Sequence, residues 1–383
     1  MEKLATAALI FQAPTAQPST RITVFTALLT AVVTLTGIVL KDLIFKILEE
    51  RRAERRAELA VYERYSKPLA ASATALLHRF HEILMQEHRP VFLRGSGIPK
   101  STGQGSSYRA YKKLSTVYRL AAVLGWIRAC RREYSYLRLA ARNENSAIHD
   151  AINDFENALA DGSWVERERI MRLCQILNLP TDEFRRSTEP LESEGVHVDN
   201  LIWDHLEAAG VTDLPALTEA QKRLLCADIA DSLARSLNTN PVSSSVMGSK
   251  WEEAFEVIAM REAWVYRDWQ TAIGDMMLRP SDAETRKFEV IGYGEFEQIY
   301  SCGSHEQRQC ISRLCEVLDD VNFAIEDRFD ARPKQLRTMG VANANLIVAL
   351  NHALGQQTIV SANTLEVANA ILSNISSADT EYA

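Results

Sequence analysis

The chain has 383 residues, 46% of them hydrophobic, which is enough for a large buried core plus an anchor or tails. A formal net charge of −7 argues against nucleic acid as a bulk partner, because that role normally shows as a basic domain. Six cysteines (Cys130, Cys174, Cys226, Cys302, Cys310, Cys315) are scattered without a dense framework, which points to free thiols in a reducing compartment rather than a disulfide-stapled secreted domain.

The first feature in chain order is "ITVFTALLTAVVTLTGIVL", residues 22–40, nineteen residues without a charge between Arg21 and Lys41. At about 1.5 Å per residue, a helix of this length just crosses a hydrocarbon core of about 30 Å. It is predicted to be a single transmembrane helix behind a short extracytoplasmic tail, 1–21. Lys3 and Arg21 lie on its N-terminal side; Lys41, Lys46, Arg51, Arg52, Arg55 and Arg56 lie on the other. The positive-inside rule therefore puts the N-terminus outside and the long C-terminal part in the cytoplasm, at the inner (plasma) membrane. Thr26, Ala27, Thr30, Ala31, Thr34 and Gly37 share one stripe of the span, and small residues so placed permit helix self-association.

Nothing breaks a helix between Lys41 and Pro68, and Leu43, Ile44, Ile47 and Leu48 keep an apolar side. Residues 41–64 read as a basic juxtamembrane helix. Its six Lys and Arg residues named above are candidates for contact with anionic lipid headgroups, at about 1 kcal/mol per basic residue. The same pattern also fits a solvated charged face.

Beyond it the chain reads as helix after helix. Pro68 opens one carrying Leu69, Leu76, Phe80 and Ile83, and a Gly- and Ser-rich loop follows. Further helices are predicted at 112–141, 145–160, 164–178, 198–210, 217–236, 251–278, 305–328, 336–354 and 363–375, with a linker, "LNTNPVSSSVMGS", before Trp251. No alternating strand pattern stands out, so the expected class is all-α: an N-terminal transmembrane helix, the juxtamembrane helix, then a multi-helix cytosolic bundle.

Chemical motifs are weak. Gly95, Lys100 and Ser101 match part of a phosphate-binding loop, but Pro99 stands where the second glycine belongs and removes an N–H that the phosphate needs. Cys302, His305, Cys310 and Cys315 carry zinc-type donors, yet Cys310 and Cys315 lie five residues apart on an expected helix, which favours core thiols. His78 and His81 lack a second ligand pair. No metal or cofactor is expected. Two charges fall on apolar stripes: Arg131 between Ile127 and Tyr134, and Glu262 between Ile258 and Val265. Isolated burial of a charge is costly. One expectation is that Arg131, Arg132 and Glu133 meet Glu262 and Asp275 in the interior as an ion-pair network; the other is that each helix is rotated and these groups reach solvent.

The segments "YSKPLAASATALLHRFHEIL", "LSTVYRLAAVLGWIRACRREYSYL", "QTAIGDMM" and "IGYGEF" resemble, in that order, stretches of a family of uncharacterised membrane-anchored all-helical proteins of bacteria and fungi. Pro68, Leu69, Arg79, Gly125, Trp126, Arg131, Glu133, Gln270, Gly274 and Gly292 are among the residues that carry it. Trp269 and Thr271 depart from it, standing where an acidic and a basic residue flank the glutamine. The resemblance implies a helical domain formed by 65–160 and 251–383, with 161–250 as an insertion. It also implies that the segments Arg131 to Glu133 and Gln270 to Asp275 form one centre, and it brings no activity with it.

The expected function is an interaction, scaffold or signalling module at the membrane. Its expected partners are the bilayer, a second copy through the span, and an unidentified protein, without nucleic acid. Alternatives are a membrane-acting effector, or an enzyme using Arg131, Glu133, Gln270 and Asp275 on a lipid-like or phosphorylated ligand. An enzyme would gather those four side chains in one open pocket; a module would bury them as structural pairs and expose an apolar patch elsewhere.

Overall fold

The computed structural model describes residues 41, 44–49, 52, 64–86, 92–94, 108–137, 147–181, 189–282, 286–323, 330–353 and 360–379. The expected span at 22–40, the basic residues Arg51, Arg55 and Arg56, and the loop with Gly95, Lys100 and Ser101 lie outside them. Among the described residues no helix is long and apolar enough to cross a membrane. The chain divides into two compact units, residues 1–59 and 60–383.

In the first unit, residues 41, 44–49 and 52 are helical. Ile44, Phe45, Ile47 and Leu48 expose 48%, 57%, 41% and 43% of their surface. The Lys41 ammonium lies 5.8 Å from the centre of the Phe45 ring.

Among its described residues the second unit is all-α but for one short hairpin and an isolated bridge between Arg261 and Asp330. Helix α1 (residues 64–84) buries Leu69, Leu76, Leu77, Phe80 and Ile83. The described helix includes Arg64, so Pro68 lies within it rather than opening it. Helices α2 (Tyr108–Leu137) and α3 (Ala147–Ala160) follow, then α4 (Ser163–Ile176) and α5 (Glu189–Ala209). Helix α5 starts nine residues before the expected 198, with Pro190 in its first turn, where proline is tolerated. Helix α6 (Glu219–Ser236) opens on a capping box in which the Thr218 N–H donates to Gln221 Oε1 at 2.9 Å.

Helix α7 (Ser244–Ile258) begins inside the expected linker, because the Ser243 hydroxyl caps it by accepting from the Val246 N–H. The single helix expected over 251–278 does not form. The chain leaves helix at Ala259, runs non-helically to Tyr266, and re-enters helix as α8 (Arg267–Met276). Tertiary bonds replace helical ones across the break: the Val265 N–H donates to the Leu159 carbonyl at 2.8 Å, and the Ala331 N–H to the Arg261 carbonyl at 2.8 Å. Strands β1 (Leu278–Pro280) and β2 (Phe288–Val290) pair antiparallel, Leu278 facing Val290. At three residues each, with a proline at one end, they are too short to show an alternating pattern. Helix α9 (Tyr293–Cys302), which the sequence reading lacks, precedes α10 (His305–Glu316). Helix α10 starts on a second capping box at Ser304 and Gln307 and stops well before the expected 328, with Asp320 at φ 52° beyond it. Helices α11 (Arg332–Ala353) and α12 (Ala362–Asp379) close the fold.

Helix α11 packs on α3 and α12, and α2 packs on α8. The main hydrophobic cluster draws on residues 69–159 and 263–375, and a second cluster draws on 170–258. Within that second stretch, α4, α5 and α6 all end the same way. Asn178, Gly210 and Asn238 adopt φ of 58°, 65° and 51°. The next N–H reaches back to the Cys174, Leu206 and Ala234 carbonyls respectively, closing Schellman turns on the residues that tolerate left-handed backbone.

Candidate functional site

Of the polar residues singled out in the sequence, all but Glu262 lie on or beside α2, on three separate sets of partners. At its centre is Glu156, a carboxylate of α3 that is only 4% exposed. Helix α3 turns Ile148, Ile152, Phe155 and Leu159 inward, and Glu156 lies on that same buried face. Arg131 grips it with both terminal guanidinium nitrogens, Nη2 reaching Oε2 at 2.6 Å, and Arg267 at the start of α8 pairs with it as well. Gln270, one turn further along α8 and buried, donates to the Glu156 backbone carbonyl at 2.8 Å and to the Val265 carbonyl at 2.7 Å. Both N–H groups of its amide are thus spent on the backbone, tying the non-helical stretch before α8 to α3, while its buried Oε1 has no hydrogen-bond partner.

Two residues beyond Arg131, Glu133 is 2% exposed and takes a different set. It pairs with Arg64 and accepts from the Tyr65 hydroxyl at 2.6 Å. Burial, and next the bond to Glu133, raise the Tyr65 phenol above its usual range. That hydroxyl also accepts from the Lys287 N–H at 3.3 Å, joining α1, α2 and the segment before β2. Asp275 on α8 takes Arg128 in a bidentate pair, 2.6 and 3.0 Å, with Arg132 Nε at 3.2 Å. Beside this pair α8 and α2 meet without room for a side chain at Gly274. A Cβ on Gly274 would stand 2.7 Å from the Arg128 Cβ and 3.1 Å from the Leu124 carbonyl oxygen.

Glu262 is elsewhere. It lies on the non-helical stretch, so the stripe it was to share with Ile258 and Val265 does not exist. Its carboxylate accepts from Arg169 of α4 at 2.7 Å and from the Trp264 indole at 2.7 Å. Arg131, Arg132, Glu133, Gln270 and Asp275 are therefore grouped around α2 and α8, and Glu262 belongs to the α4 side. Glu156, Arg267, Arg128 and Tyr65 were not picked out from the sequence. Glu156 carried a usable signal, a charge on the apolar stripe of α3.

The thiols divide by burial. Cys130, Cys174, Cys226 and Cys310 are buried, Cys315 is partly so, and Cys302 is exposed. Burial pushes Cys130, Cys174, Cys226 and Cys315 up to about 12, far from thiolate at neutral pH. Among the described residues no group of three or more His, Cys, Asp or Glu side chains is placed to hold a metal ion. On the first unit, Lys41, Lys46 and Arg52 are exposed beside the apolar face of residues 44–48. Comparison with protein-family models, with curated proteins and with solved structures gives no match.

Proposed function

We propose that this chain is a single-pass membrane protein, spanning at 22–40 with its N-terminus outside, whose cytoplasmic helical domain works by binding a partner at the membrane face and not by catalysis. The observation that carries the reading is how the candidate polar residues are used. Arg131, Glu133, Gln270 and Asp275 each engage carboxylates, arginines, a phenol or backbone carbonyls of neighbouring helices, so they act as packing joints between α1, α2, α3 and α8. A catalytic acid or base needs a free position facing substrate. Apolar surface is meanwhile exposed at Ile44, Phe45, Ile47 and Leu48 next to basic residues, as suits a helix lying at a headgroup layer with Lys41, Lys46, Arg51, Arg52, Arg55 and Arg56 toward anionic lipid.

The test is fractionation with protease protection. Full-length chain should stay in the membrane through a carbonate wash, with its C-terminal domain digested only from the cytoplasmic side; a chain lacking 22–40 should wash off. A full-length chain released by carbonate would sink the proposal. The family resemblance supports the same arrangement and adds no activity to it.

A further inference from the structure

A cleft of about 550 Å³ opens in the second unit, walled by α5, the turn that follows it, the stretch 258–262 and part of the 316–332 segment. That volume is within the range of small-molecule sites, about 300–1,000 Å³. Its most unusual wall is Trp203, which leaves 68% of its surface uncovered. Asp199, one turn earlier on α5, faces the same cleft, as do Leu214 and Pro215.

The charges of the lining are unbalanced. Five carboxylates, Asp199, Asp213, Glu262, Glu316 and Asp319, face three guanidiniums. All three guanidiniums have acceptors within the protein, although the buried Nε of Arg169 has none. Arg332 bonds both oxygens of Asp330 at 2.8 Å and the Glu316 carbonyl at 3.0 Å. Arg261 bonds Asp320 at 3.2 Å, and Arg169 bonds Glu262 at 2.7 Å. Asp199 and Asp213 are less well matched. Asp199 has Arg169 at 3.8 Å, and among the described residues the side-chain partner of Asp213 is the Thr212 hydroxyl at 3.2 Å. The excess of carboxylates favours a cation over an anion, and a neutral apolar molecule would gain nothing from the two aspartates, which then stay with solvent. A cation on an apolar stem satisfies both walls, since an indole face attracts an ammonium or guanidinium group and covers the methylenes beside it.

We propose that this cleft binds an organic ammonium or guanidinium cation carried on an apolar stem, with Asp199 and Asp213 as counter-charges and Trp203 against the stem. The cation can come from a free polyamine or from a basic side chain of a peptide; the chemistry recognised is the same. The proposal stands apart from the membrane reading and does not need it.

Isothermal titration of the full chain in mild detergent, at about 50 mM salt to limit screening, tests it with two probes, spermidine and a tetrapeptide of alternating leucine and lysine. One of them should bind saturably at a single site, and Trp203→Ala and Asp213→Asn should each weaken that binding at least tenfold. Both positions are exposed or in a surface turn, and circular dichroism checks that the variants remain folded. Asp204→Asn, on α5 but outside the cleft lining, should leave binding unchanged. Spermidine binding assigns the source to a free amine, and peptide binding alone assigns it to a polypeptide; either supports the site. Binding of neither probe, binding that survives both substitutions, or equal weakening by Asp204→Asn overturns it.

Discussion

Glu156 is the side chain on which most of the α2–α3–α8 joint depends. Breaking a buried ion pair by removing one partner costs about 3–5 kcal/mol. Arg131 and Arg267 keep 37% and 43% of their side chains in solvent, so Glu156→Gln should cost nearer about 2–3 kcal/mol, read as a lower urea midpoint at unchanged slope. A second prediction concerns acids that the fold treats badly. Burial, and then the charge of Asp199, raise the Glu166 carboxyl; burial raises Asp199 too, with Arg169 opposing and Glu262 adding to it. A carboxyl with a raised folded pKa binds more protons folded than unfolded, so stability falls as pH rises from the unfolded value, about 4, through the folded one. Glu166→Gln should therefore raise Tm slightly at pH 7, and the gain should vanish below about pH 4. At this scale the sequence left Arg131 two outcomes, a carboxylate partner or an escape to solvent, and the fold uses both, since Arg131 pairs with Glu156 and stays 37% exposed. The sequence did not tell which carboxylate, because Glu156 comes from a helix whose rotation is set only once α3 packs against α11.

Among the elements, the close approach of α2 and α8 depends on an absent side chain. Gly274→Ala should cost about 2 kcal/mol, because the new methyl group meets the Arg128 Cβ and the Leu124 carbonyl in a backbone contact with no slack. The same change at Gly248, in the interior of α7 with nothing within 4 Å, should instead stabilise by up to about 1 kcal/mol through helix propensity alone. Opposite signs in chemical denaturation check both. Helix existence was legible wherever an apolar stripe ran for several turns, as in α2, α3 and α6. The break between α7 and α8 was not. Trp251, Phe255, Ile258 and Val265 hold helical spacing across it, and it is distant partners, the Leu159 carbonyl, the Ala331 N–H and the Gln270 and Gln335 amides, that make non-helical backbone the better choice. The hairpin and α9 escaped for a related reason, being too short to carry a period.

Among its described residues the second unit has two large hydrophobic clusters and two small ones, with residues 170–258 supplying the smaller of the large pair. Leu233, fully buried in that smaller cluster, tests how far the two share their stability. Leu233→Ala should cost about 2–5 kcal/mol. Hydrogen exchange should quicken first across 170–258 while α2 and α3 stay protected, and uniform acceleration across both clusters would show a single cooperative block instead. The cysteines add a consequence of another kind, since their burial makes them a built-in clock. In the native chain a maleimide should modify Cys302 promptly and the buried thiols slowly. The order in which the others become reactive then dates the opening of each part: Cys174 and Cys226 for the smaller cluster, Cys130 for the face of α2 near the hairpin, and Cys310 for the main cluster. Mass spectrometry after a short pulse would follow the molecule coming apart without a single label being engineered into it.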